Sequence, residues 1–162
     1  MNAQTITILI SLLGVLAGFI VFYWGKRLER QSVNKAILAE IHRLIDVISR
    51  HKDWYSKPGN RDLPLIPFST PIYNEQAKNI GLLDNNIVAN VAEFYGYVQF
   101  LNSLQISKAG YTTDKLPLFE EMYLGSLETF INTHASGFDK AFRRYGVSVP
   151  EFLQRKPSSE ES

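Results

Sequence analysis

The sequence predicts an all-α protein, in which one N-terminal transmembrane helix continues into a cytosolic antiparallel bundle of about three long helices plus a short one. Three observations carry that prediction. Residues 6–24 form an uncharged apolar run, ITILISLLGVLAGFIVFYW. The stretches near 28–55, 85–105 and 115–145 repeat apolar residues at the three-and-four spacing of a buried helix face. No stretch of any length alternates with the two-residue period of a strand, and no internal repeat is present.

The apolar run has the length of one membrane crossing. At about 1.5 Å per residue it covers close to 30 Å, the thickness of a hydrocarbon core. About a dozen Leu, Ile, Phe and Val side chains favour insertion by roughly 4 to 7 kcal/mol in total. A cleaved signal peptide fits less well: no basic residue precedes the run, it exceeds the usual apolar length of such peptides, and Tyr23-Trp24-Gly25-Lys26 lacks a small-x-small cleavage pattern. The expected division is therefore residues 1–5 outside, 6–25 in the membrane, 26–155 as a cytosolic helical domain and 156–162 as a disordered acidic tail.

Flanking charge sets the orientation. Residues 1–5 carry no basic side chain, whereas Lys26, Arg27 and Arg30 follow the run, and basic flanks stay on the cytoplasmic side of an inner or plasma membrane. Tyr23 and Trp24 match an aromatic belt at that interface, and the three cations can each gain about 1 kcal/mol near anionic lipid. Ser11, Gly14, Gly18 and Gly25 share one helix face that contains a GxxxG motif, which points to self-association into a homo-oligomer.

Behind the span, Val33, Ile37, Ile41, Leu44, Ile45 and Ile48 give the first domain helix its apolar face, and no Gly or Pro interrupts it before Pro58. The pairs Glu40/Arg43 and Asp46/Arg50 read as solvated helix neighbours. Residues 61–68 form a proline-spaced extended segment. Within it Arg61, Pro64 and Pro67 match an RxxPxxP pattern that a peptide-reading protein partner would recognise, while Leu65, Ile66 and Phe68 suit a loop pinned to the helices. Thr70 and Pro71 start a short helix that should end near Gly81.

Asp84 marks the next helix, with Ile87, Val91, Phe94, Tyr95, Val98, Leu101 and Leu104 on its apolar face and Gly96 placed for a close helix crossing. Asp114 and Pro117 open the last long helix, and Arg143, Arg144 and Gly146 close it. Its stripe reads Phe119, Met122, Tyr123, Leu127, Phe130, His134, Phe138, Ala141 and Tyr145. Ser148 and Glu151 resemble a capping box for a final short turn.

Chemistry is sparse. The 162 residues carry a net charge of +1 and no Cys, which argues against nucleic acid as a partner and removes thiol nucleophiles and zinc-thiolate sites. His42, His51 and His134 lack metal-ligand spacing, and no phosphate loop, nucleophile elbow or HExxH is present. No catalytic residue, metal or cofactor is assigned. The expected function is a membrane-anchored interaction, scaffold or regulatory protein that contacts lipid, a protein partner and further copies of itself. A membrane-acting effector or exclusion factor is the alternative, and a small-molecule site beside Tyr95, Tyr97 and His134 is a third reading.

Overall fold

The computed structural model describes residues 3–61, 65–76, 82–83 and 85–150, and all regular structure among them is helical. Helix α1 (Ala3–Tyr55) is a single uninterrupted element of 53 residues. It is followed by α2 (Pro71–Gln76), α3 (Asn85–Ser107), α4 (Leu116–Thr129) and α5 (Asp139–Tyr145).

The two halves of α1 differ in their surroundings. Residues 11–32 are exposed, and no residue in the window long and apolar enough to cross a membrane is buried within the protein. Burial starts at Val33 and continues through Ile37, Leu38, Ile41, Leu44, Ile45, Ile48 and Tyr55. This half packs against α2, α4 and α5, and α3 closes the core with Val91, Phe94, Tyr95, Val98 and Leu101.

Rings fill the centre. Phe94 meets Phe138 edge-on at 5.4 Å and Phe130 at 5.0 Å, while Phe119 lies parallel to Tyr123 at 5.8 Å. Such contacts add about 0.5 to 1.5 kcal/mol each beyond the apolar area they bury.

The last helix departs from the sequence expectation. In place of one element over 115–145, α4 ends at Thr129 and gives way to a π turn, Phe130–Ala135, then a 3-10 turn, Ser136–Phe138, before α5. Ser126 and Thr129 donate their hydroxyls back to the carbonyls of Met122 and Gly125, at 2.8 and 2.9 Å, and such back-bonding bends helices. Phe119, Tyr123, Leu127, Phe130, Phe138 and Ala141 of the expected stripe are buried, and Ala135 and Phe142 join them, while Tyr145 is only partly buried and Met122, ahead of the π turn, is 39% exposed.

Three further local expectations change. Helix α4 begins after Lys115, with Pro117 in its first turn, so Asp114 lies outside it. A Cβ at Gly96 would meet nothing within 4 Å, so no close crossing occurs there. Ile66 points outward at 78% exposure, whereas Phe68 is buried as expected. The proposed end of the short helix near Gly81, the Asp84 cap, the Glu151 box and the acidic tail lie outside the described residues.

Glu40 is the largest local correction. It is 1% exposed and accepts from the Ile72 and Tyr73 backbone N–H groups at 2.8 Å each and from the Tyr95 hydroxyl at 2.7 Å. The carboxylate thus caps the first turn of α2 from another helix. Arg43 does not pair with it but donates to the Ser69 carbonyl at 2.8 Å. Asn102 grips Phe68 through both backbone groups, at 2.7 and 2.9 Å, so the 65–70 segment is tied to α1 and α3 together.

Candidate functional site: a basic groove between α1 and α5

The path of the chain after Thr129 creates the site. Because the π and 3-10 turns redirect it, α5 lies against α1 and brings its C-terminal end beside residues 22–35. Gly146 ends α5 at φ 66°, ψ 29°, a left-handed conformation that costs glycine little. The Val147 N–H reaches back to the Phe142 carbonyl at 2.9 Å, and that of Gly146 reaches Arg143 at 3.4 Å. This paired termination fixes Arg143, Arg144 and Tyr145 in one place.

Between the two helices lies a groove of about 1020 Å3. Lys26, Arg27, Arg30 and Lys35 line it from α1, and Arg143 and Arg144 from α5. No carboxylate is among its lining residues. On the rim, Glu29 pairs with Lys26 at 2.9 Å and Asp139 with Arg143 at 3.2 Å. Arg144 stacks over Tyr145 at 5.7 Å. Arg27, Arg30 and Lys35 have no ion pair among the described residues. Phe22 and Tyr23 form the groove's wall at the apolar end. The arrangement suits an anion that carries an apolar portion: several cations hold the charge while ring faces cover the rest.

Comparison with protein-family models, curated proteins and solved structures returns no match. Function therefore rests on the chemistry of this chain alone.

The sequence-predicted residues divide into three groups. Tyr23, Lys26, Arg27 and Arg30 line the groove, and Trp24 is exposed next to them. Ser11, Gly14, Gly18 and Gly25 lie on the exposed half of α1, and a Cβ added at any of the three glycines would meet open space. Arg61 is held by Glu120 at 3.1 Å, Pro67 is exposed, and Pro64 lies outside the described residues. Lys35, Arg143 and Arg144 were not expected in a site. In the sequence, Arg143 and Arg144 look like ordinary cations in a last helical turn, and only the placement of α5 joins them to Arg27 and Arg30.

The histidines stand apart from the groove. The His134 Nδ1 lies 3.4 Å from Glu93, with the Tyr97 ring tilted against it at 4.5 Å, and neither Tyr95, Tyr97 nor His134 lines the groove. His51 lies among Tyr55, Phe68 and Tyr123, with ring centroids 5.4 to 6.0 Å away. Gln105 donates to the Tyr123 hydroxyl at 2.7 Å, which leaves that hydroxyl's proton for His51 Nε2 at 3.1 Å. Burial lowers the His51 pKa, which keeps the ring neutral, and raises that of Tyr123. Among the described residues no group of three His, Asp or Glu side chains gathers as a metal site requires.

Proposed function

We propose that this chain is a single-pass membrane protein whose helical bundle is held at the cytosolic face as an interaction module rather than an enzyme. One observation carries the reading. From Leu12 to Trp24 the large apolar side chains of α1 are 50 to 72% exposed, on the same helix whose other half buries its apolar face from Val33 to Tyr55 in the core. A soluble protein does not leave so long an apolar rod in water, whereas lipid solvates it at no cost.

The basic cluster at residues 26–30 supports the cytosolic orientation through the bias of positive charge toward that side. The small-residue face at Ser11, Gly14, Gly18 and Gly25 is open for a second copy in the bilayer. Ile66 and Pro67, outward-facing on a segment whose backbone is tied down by Asn102 and Arg43, offer a protein partner an ordered surface.

The test is alkaline carbonate washing of membranes from cells expressing the full chain, with chemical crosslinking before solubilisation. The chain stays in the pellet, and its dimer band weakens in Gly14→Leu and Gly18→Leu. Release into the supernatant contradicts the anchor, and an unchanged band removes the glycine face from the assembly.

A further inference from the structure

We propose that the groove between α1 and α5 binds the phosphate of an anionic phospholipid from the cytosolic leaflet, so that one lipid headgroup clamps the domain against its own anchor. The proposal rests on the membrane reading above and names the ligand of the groove.

Charge comes first. Glu29 engages Lys26 and Asp139 engages Arg143, while Arg27, Arg30 and Lys35 line the groove with no ion pair among the described residues, and no carboxylate is among the lining residues. Guanidinium groups suit phosphate because their fixed donors bind two oxygens at once, and four of the six lining cations are Arg.

Depth comes second. If Trp24 marks the edge of the hydrocarbon, a rise of about 1.5 Å per residue puts Arg27 about 5 Å and Arg30 about 9 Å below it. The headgroup layer of one leaflet is roughly 5 to 8 Å thick, so Arg27 lies within it and the long side chain of Arg30, whose backbone lies about 1 Å beyond it, reaches back to it.

The wall comes third. Phe22 and Tyr23 line the same groove on its membrane side. They have no use for inorganic phosphate, but they continue the surface along which an acyl chain would run. A lipid satisfies both ends of the groove; a free anion satisfies one.

The α5 contribution distinguishes this site from a generic polybasic flank. A flank needs only Lys26, Arg27 and Arg30, which any juxtamembrane helix can carry. Here Arg143 and Arg144 arrive from the far end of the chain, held by the Gly146 turn. A bound headgroup therefore bridges two elements, and the orientation of the domain beneath the membrane becomes dependent on lipid composition.

The experiment is a native mass-spectrometric titration of the detergent-solubilised full chain with phosphatidylglycerol, phosphatidylcholine or inorganic phosphate. Wild type binds phosphatidylglycerol in preference to phosphatidylcholine, and inorganic phosphate does not displace it. Arg143→Gln with Arg144→Gln weakens phosphatidylglycerol binding about thirtyfold, from about a fivefold factor per lost cation, and the paired Lys substitutions restore most of it. Arg27→Gln with Arg30→Gln, on a part of α1 outside the core, gives a similar loss without acting through the fold. Unchanged lipid binding in both Gln pairs, or equal binding of phosphatidylcholine, overturns the proposal. Displacement by inorganic phosphate overturns the lipid as its source. Carbonate washing of the same variants separates the two readings: a chain that pellets but fails to select lipid leaves the anchor intact, and a chain that washes off removes the anchor itself.

Discussion

At the scale of single residues, the decisive side chains are buried polar ones. Glu40 satisfies two part-buried backbone donors and one buried hydroxyl. Glu40→Ala should therefore destabilise the domain by about 3 kcal/mol, measured by urea unfolding, because unpaired buried donors cost about 1 to 3 kcal/mol each and water entering the gap recovers part of that. His51 supplies a pH dependence. Its folded pKa lies below the ordinary value of 6.5 that the unfolded chain shows, so on acidification the unfolded chain takes up this proton first. Stability is thus full above pH 6.5 and declines as the pH falls below it, until the folded ring also protonates. Unfolding midpoints at pH 7.5 and 5.5 check this, and His51→Gln should flatten the difference. Neither role was legible in the sequence. Glu40 stands three residues from Arg43 and looks like a solvated pair, because its real partners lie more than thirty positions away.

At the scale of elements, the two kinds of glycine separate local from tertiary demands. Gly146 needs its positive φ to end α5 and hold Arg143 and Arg144 at the groove. Gly146→Ala should cost about 1 to 2 kcal/mol, since a Cβ is strained in the left-handed region. Gly96 lies mid-helix with open space around it, so Gly96→Ala should instead stabilise by about 0.5 to 1 kcal/mol through higher helix propensity. Thermal or urea unfolding of both variants reads the opposite signs. The cap at Gly146 was legible because Arg143, Arg144 and Gly146 carry a local signal, and the faces of α1 and α3 were legible because periodicity is local too. The break after Thr129 was not. Ser126 and Thr129 are compatible with a continuous helix, and their back-bonds matter only once the packing of Phe130 and Phe138 rewards the wider turn.

At the scale of the whole molecule, one helix does two jobs. Its first half offers apolar surface with nothing in the protein to cover it, and its second half is the spine on which α2, α4 and α5 pack. The sequence predicted this division from hydropathy and basic flanks. It could not predict that the far end of the chain returns to the same level, since that depends on the path taken after α4. The result is a domain with a cationic groove beside the end of its exposed apolar helix, which in the proposed membrane reading lies where membrane and cytosol meet.

The account turns on where that domain lies, and the natural lack of cysteine makes the question directly measurable. Single cysteines are introduced as Asn2→Cys, ahead of the span, and Ser103→Cys, exposed on α3, and intact cells are treated with a membrane-impermeant maleimide. Labelling of the first in intact cells, and of the second only after permeabilisation, is the predicted result. Labelling of Ser103→Cys in intact cells would contradict it.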